Sequence, residues 1–207
     1  MERSQIPPKA IYRLSIYNRC LHRLIDNEVE TVSSSALAKA AGVKPAQLRR
    51  DLTYIGQFGT RGLGYPVEML HASIREILGR EHLFPVILVG AGNLGAALLR
   101  YDGFRKEGFE VIAAFDADPA LASERDIPVK VLDYKVIEKF IRDNSVRMAI
   151  LCVPGEHAQE VVNDLVSAGI VGILNFSPTV VQVPDTVTVN SVDLALELEN
   201  LSYFIGK

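Results

Sequence analysis

The residues Val86-Ile87-Leu88-Val89-Gly90-Ala91-Gly92-Asn93-Leu94-Gly95 constrain the fold of this chain more than any others. Four aliphatic residues run without a polar break, as in a strand buried on both faces. A Gly-x-Gly-x-x-Gly pattern follows at once and opens the apolar helical segment Ala96-Ala97-Leu98-Leu99. The first glycine of such a turn allows a tight bend, the second lets a pyrophosphate approach the backbone, and the third lets the helix lie close on the strand. The helix start adds free N–H groups and the positive end of the helix dipole. This pattern calls for an acidic residue roughly 20 positions on. Asp116 closes the apolar run 111–115 and lies 21 positions after Gly95, with Asp118 as a nearby competitor. A carboxylate there accepts from a ribose 2′-hydroxyl and repels a 2′-phosphate, which favours NAD(H) over NADP(H). Gly90, Ala91, Gly92, Asn93, Leu94, Gly95 and Asp116 are thus the expected cofactor contacts.

The second half keeps this rhythm. Apolar runs of strand length at 86–89, 111–115, 148–153, 172–176 and 187–189 alternate with helical segments at 93–107, 136–143 and 156–168. That alternation predicts βαβ units and a mostly parallel sheet. A very apolar helix is expected over 192–204, carrying Leu194, Leu196, Leu198, Leu201 and Phe204.

The first half reads differently. A helix is expected over 8–27. The hydroxyl-rich run 31–35 suits helix capping. A short helix over 35–41 stops at Gly42, and a second starts at Pro45 and runs to about residue 55, with Leu48, Leu52 and Ile55 inward. The second helix is expected to expose Gln47, Arg49, Arg50 and Asp51. Arginine and glutamine pair with guanine and adenine edges in the major groove, so this is helix-turn-helix character. Residues 57–65 hold Gly59, Gly62 and Gly64 and predict a hairpin wing with Arg61 at its tip. A further helix is expected over 66–78, and the polar segment 80–82 is the expected domain boundary.

Charge separates the halves. Residues 1–80 carry 12 Lys and Arg against 7 Asp and Glu, a balance of +5, whereas the remainder carry 10 against 18, a balance of −8. A basic half beside an acidic one fits a nucleic-acid reader joined to a second domain that DNA repels. With 48% hydrophobic and 23% charged residues, the 207-residue chain has the composition of a globular protein, not of a disordered or fibrous one. No apolar stretch is long enough to span a membrane and the first residues do not resemble a signal peptide, so a cytoplasmic location is expected. Cys20 and Cys152 are far apart and in no metal spacing, and are expected to be inert free thiols.

The fold class expected is α/β: a winged helix-turn-helix domain at 1–80, a Rossmann domain at 81–190 and a C-terminal helix at 191–207. This combination resembles the Rex family of redox-sensing transcriptional repressors. The resemblance runs along essentially the whole chain. It is carried by Leu48-Arg49-Arg50-Asp51-Leu52, Gly56-Gln57-Phe58-Gly59-Thr60-Arg61-Gly62-Leu63-Gly64-Tyr65, the 90–95 turn, Phe115-Asp116 and Asn175-Phe176-Ser177-Pro178. The resemblance implies a homodimer that binds inverted-repeat operators when NADH is scarce and is released by NADH, with NAD+ a weaker competitor. It implies that Arg49 and Arg50 form the basic pair of the recognition helix, where the family commonly has Arg-Lys, and that Arg61 is the wing arginine. Tyr101 matches a tyrosine near the nicotinamide. Asp193 matches an aspartate on a C-terminal helix that is domain-swapped across the dimer, and Arg19 a first-helix arginine that pairs with it in the partner subunit. Lys44 and Gln47 complete the expected DNA contacts. Pro154, Asn175, Phe176 and Asp193 complete the expected cofactor contacts. No metal and no catalytic residue are expected.

Two other classes compete. A Gly-x-Gly-x-x-Gly domain often belongs to an NAD-dependent oxidoreductase, here one with a small helical accessory domain. His157 is the one histidine of four placed after a strand where a catalytic loop could lie, but the chain has little length for a substrate domain. The third class is a DNA-binding protein whose second domain only dimerises. Binding of NADH by the purified protein separates it from the first.

Overall fold

The computed structural model describes residues 6–56, 64–79, 82–120 and 127–205. Arg61 and most of the expected wing, and Arg80 and Glu81 of the expected boundary, lie outside the described residues. The chain divides into two units, Met1–His82 and Leu83–Lys207.

In the first unit, α1 (Pro8–Asp26) is followed by β1 (Thr31–Val32), α2 (Ser34–Ala40), α3 (Pro45–Leu52), β2 (Tyr65–Pro66) and α4 (Val67–Ile77). Leu14, Tyr17 and Leu21 fall on one face of α1, because residues three or four apart share a face. They meet Leu37 and Ala38 of α2, Leu48 and Leu52 of α3, and Leu70 and Ile74 of α4 in one core. Ser33 caps α2, its Oγ accepting from Ala36 N at 3.1 Å. Gly42 (φ 67°) turns the chain towards α3, whose first residue is Pro45. The run 31–35, expected to serve only capping, also supplies β1. Thr31 pairs with Pro66 and Val32 with Tyr65, antiparallel. α3 ends at Leu52, three residues before the expected stop, with Thr53 Oγ1 donating to Arg50 O at 2.7 Å.

In the second unit, β3 (Phe84–Val89), β4 (Phe109–Asp116), β5 (Val131–Asp133), β6 (Met148–Leu151), β7 (Gly172–Asn175) and β8 (Thr188–Ser191) form a sheet in the order β5-β4-β3-β6-β7-β8. Every neighbouring pair is parallel. This is the doubly wound order, with its reversal between β3 and β6. The helices are α5 (Asn93–Leu99), α6 (Gly103–Lys106), α7 (Ile137–Asp143), α8 (Gly155–Ala168) and α9 (Leu194–Ile205). The strand β5 was not anticipated, and the last strand lies slightly later than the expected 187–189.

The continuous helix expected over 93–107 is interrupted between α5 and α6. The Tyr101 ring occupies the space beside Gly103, where a Cβ would lie 2.2 Å from ring carbon Cζ, and it stacks edge-on against Phe104. The terminal helix α9 forms as expected but buries none of its residues, leaving Leu194, Leu196, Leu198, Leu201, Tyr203, Phe204 and Ile205 exposed. No helix among the described residues is long and apolar enough to cross a membrane.

Candidate functional site

The parallel sheet brings the carboxyl ends of β3, β4 and β6 to one edge, which is where ligands bind in such folds. Gly90 follows β3 at φ 93°, and a Cβ there would lie 2.6 Å from Cys152 O. Gly95 is tighter still: its Cβ would lie 1.9 Å from Gly90 O. These two glycines are therefore demanded by the fold. Gly92 differs, since a Cβ there would meet no protein atom within 4 Å. It N-caps α5 without a side-chain cap, so the open space lies at a helix start, where phosphates bind in such folds. Asn93 and Leu94 are exposed beside it, and Ala91 is buried.

Asp116 stands at the end of β4, half-buried. Its Oδ2 accepts from Ala91 N at 2.7 Å and its Oδ1 from Asp118 N at 2.9 Å. The carboxylate thus props the glycine turn, and the competitor Asp118 donates its backbone N–H to it. Each carboxylate oxygen can accept a further bond, so ribose hydroxyls remain compatible with it. Asp116 and Gly90 line a cavity of about 280 Å³ together with Phe115, Tyr134, Pro154 and His157. Tyr134 Oη donates to Asp164 Oδ2 at 2.8 Å, and burial together with that carboxylate pushes the phenol pKa up, so it stays a donor. Burial pushes the thiol of Cys152 up to about 12.

Other expected contacts are placed differently. Tyr101 lines a separate cavity of about 550 Å³ with Leu98, Phe104, Arg105 and Lys130, and does not line the one that holds Gly90 and Asp116. Asn175, expected to touch cofactor, is fully buried and its amide is turned inward. Its Oδ1 accepts from Ser177 N at 2.9 Å, and its Nδ2 donates to Thr179 O at 3.0 Å and Ser191 Oγ at 3.3 Å. It latches the loop after β7, with both amide hydrogens used and Oδ1 engaged by Ser177 N. Ser177 Oγ donates to Val153 O at 2.6 Å and ties that loop to the end of β6. Phe176 is half-buried and packs into the cluster that holds Leu88 and Ala91. Asp193 is exposed and caps α9, its Oδ1 accepting from Ala195 N at 2.9 Å and Leu196 N at 3.1 Å. Arg19 is exposed on α1.

In the first unit, Lys44, Arg49 and Arg50 are exposed at the start and along α3. Arg49 Nη1 lies 3.4 Å from Ser34 Oγ. Asp51, expected on the surface, is buried at 1% exposure. Its Oδ2 accepts from Arg13 Nε at 2.6 Å and Tyr17 Oη at 2.8 Å. Its Oδ1 accepts from Arg13 Nη2 at 2.7 Å and Gln47 Nε2 at 2.9 Å. Burial alone would raise the Asp51 carboxyl, but these donors outweigh it and hold it below the ordinary carboxylate range. The buried position is tolerable because the charge is fully paired and hydrogen-bonded. Gln47 is consequently half-buried and tethered, not a free surface amide. Arg13 and Tyr17 went unnoticed in the sequence; their spacing of four on α1 was the available signal.

A family model described as "CoA binding domain" matches residues 83–179, and one described as "Putative DNA-binding protein N-terminus" matches residues 5–53. The chain is 45% identical over 207 residues to the redox-sensing transcriptional repressor Rex of Carboxydothermus hydrogenoformans, covering 100% of both. It is 47% identical over 198 residues to the protein of the same name from Streptomyces avermitilis, covering 96% of this chain and 79% of that one. Among solved structures, it is similar to RSP in complex with β-NAD+ and operator DNA, at 40% identity and a TM-score of 0.87 over 97% of this chain and 92% of that one. RSP in complex with β-NADH matches at 38% identity and a TM-score of 0.84, over 97% and 94%.

Proposed function

Because the chain belongs to the Rex family of redox-sensing transcriptional repressors, we propose that it is a DNA-binding repressor that reads the NADH/NAD+ ratio. In this reading it is a cytoplasmic homodimer that holds inverted-repeat operators when NADH is scarce and releases them when NADH binds. NAD+ is the weaker competitor. The observation that carries the reading is the presence in one chain of a glycine turn propped by a β4 carboxylate and of a helix pair that exposes Lys44, Arg49 and Arg50. The solved relative that accommodates both NAD+ and operator DNA supports it.

The residues present fit a dinucleotide. Gly92 leaves open the space a phosphate would fill, Asp116 keeps acceptor capacity for a ribose, and the cavity beside it is lined largely by apolar side chains. The bound cofactor would supply a ring that is cationic when oxidised and neutral when reduced. Gly90 and Gly95 shape the turn, Asp116 holds it, the Asn175 latch fixes the loop after β7, and Pro154 borders the cavity. Lys44, Gln47, Arg49, Arg50 and the wing residue Arg61 meet the operator. Tyr101 does not line the Asp116 cavity, so its role in sensing depends on the assembled dimer.

The apolar surface of α9 supports the dimer. Seven large apolar side chains exposed on one short helix are a surface that another chain covers. Arg19 and the partner subunit's α9 aspartate, equivalent to Asp193, would then form the inter-subunit switch. A ligand moves such an equilibrium only if it binds one state better, and a shift from 1:99 to 99:1 needs roughly 10⁴-fold preference. The chain is a regulator, not an enzyme: its relatives are repressors.

The test is an anisotropy titration of the full chain on an inverted-repeat duplex selected from a randomised pool, with NADH, NAD+ or coenzyme A present. NADH should weaken binding roughly 10- to 100-fold, and NAD+ should relieve that effect only at much higher concentration. An operator affinity unchanged by NADH would overturn the redox reading.

A further inference from the structure

The tether on Gln47 has a consequence for what α3 can read. We infer that Asp51, itself gripped by Arg13 and Tyr17, is a positioning residue that fixes the orientation of the Gln47 amide and so decides which bases Gln47 accepts. The inference rests on the DNA-binding reading above and adds a specificity-determining residue to it.

An ionised carboxylate can only accept hydrogen bonds. The Gln47 amide must therefore point its NH2 group at Asp51 Oδ1, as the 2.9 Å contact records. Its Oε1 cannot take that place, because two acceptors would face each other. The Asp51 carboxylate is in turn immobile. Arg13 holds both of its oxygens in a fork at 2.6 and 2.7 Å, and Tyr17 adds a third donor at 2.8 Å. What Gln47 has left is Oε1 as an acceptor and one remaining N–H. Adenine offers an amine and N7 in the major groove, which matches that pair; guanine offers two acceptors, which does not. A free glutamine could turn over to suit guanine. This one is held against doing so.

Replacing Asp51 by asparagine tests the orientation with almost no change in shape. The asparagine oxygen belongs where Arg13 Nε and Tyr17 Oη converge, which leaves its NH2 facing Gln47 and gives up the bond from Arg13 Nη2. The Gln47 amide should then reverse and present its NH2 outward, towards an acceptor base.

The experiment uses the full-length protein and a half-site obtained by selection from randomised duplexes, followed by single-base substitution at every position. In the native protein one position should prefer adenine over guanine by roughly 10- to 100-fold, and Q47A should abolish the preference at that position alone. D51N should erase or invert the preference at the same position. Other positions and the salt dependence, which reports phosphate contacts, should be unchanged. A uniform loss at all positions would make Asp51 merely structural, and an unchanged profile would overturn the proposal. Should D51N fail to fold, side-chain amide NMR of the native protein decides. Gln47 Nε2 protons, assigned by their loss in Q47A, should be protected from exchange; free-amide exchange overturns the proposal. If native protein prefers no sequence over random DNA, the repressor reading fails while the NMR result still decides the orientation.

Discussion

In the N-terminal unit a carboxylate, Asp51, lies buried under donors from side chains on α1 and α3. In the C-terminal unit the polar side chains at similar depth, Asn175 and Ser177, are neutral and bond mostly to backbone. The first arrangement fixes one helix against another through a charge, so it depends on side-chain identity. The second fixes the path of a loop, so it depends on backbone geometry, as do Gly90 and Gly95 beside it. A reading helix must hold its side chains still, whereas a cofactor turn must bring backbone close to a ligand. The two units should accordingly break in different ways.

The largest effect is expected for Gly95→Ala. The added Cβ would lie 1.9 Å from a backbone oxygen that cannot move without disturbing β3. The cost should be at least about 3 kcal/mol, at the upper end for overpacking. Calorimetry should show the C-terminal transition lowered and the N-terminal one unmoved. Equal loss in both would mean that the units do not unfold separately.

Asp51→Ala makes the complementary test. It leaves Arg13 without its partner, but the Arg13 side chain is 24% exposed and can reach water. The loss should thus be roughly 2–3 kcal/mol, at or below the low end for breaking a buried pair, and confined to the N-terminal transition. A drop under about 0.5 kcal/mol, the level of a surface substitution, would remove the contrast drawn between the two units.

These two residues also mark how far the sequence could be read. Gly90, Gly95 and Asp116 declare themselves because strand, turn and acid are near one another along the chain, and each local demand has its own residue type. The parallel sheet was legible for the same reason, in runs of aliphatic residues. Asp51 was misread as exposed because its burial is set by Arg13, 38 positions away; periodicity carries no record of a partner so distant. The latch made by Asn175 was hidden for the same reason, since it is closed in part by Ser191. The break between α5 and α6 depends on where the Tyr101 ring lies, and β1 is too short to announce itself.

Acid should separate the units more gently. The folded Asp51 carboxyl is held below its unfolded value, so the stability it contributes is fully present above the unfolded value of about 3.9. It is lost as pH falls below that and passes through the depressed folded value. The N-terminal transition of the native protein should therefore fall more steeply below pH ~4 than that of Asp51→Asn, while the C-terminal transitions of the two proteins coincide. Protonation leaves the Tyr17 bond possible, so this effect should be smaller than that of Asp51→Ala. Parallel acid profiles for the N-terminal transition would show that the pair is not the source of its acid sensitivity.

The smallest change in stability is expected at Gly92, and it bears most directly on function. Its backbone is not left-handed and its Cβ position is empty of protein atoms, so nothing in the fold requires glycine there. Gly92→Ala should shift the C-terminal transition by less than about 1 kcal/mol and can even raise it, because alanine restrains the unfolded chain. If the space beside Gly92 is where a pyrophosphate approaches, the same methyl should weaken NADH binding on the order of tenfold or more, read by isothermal titration. Gly95→Ala and Gly92→Ala then divide the turn between its two duties: one glycine kept for packing, the other kept for the ligand. Native-like NADH affinity in Gly92→Ala would place the phosphates elsewhere and leave the turn with packing alone to explain it.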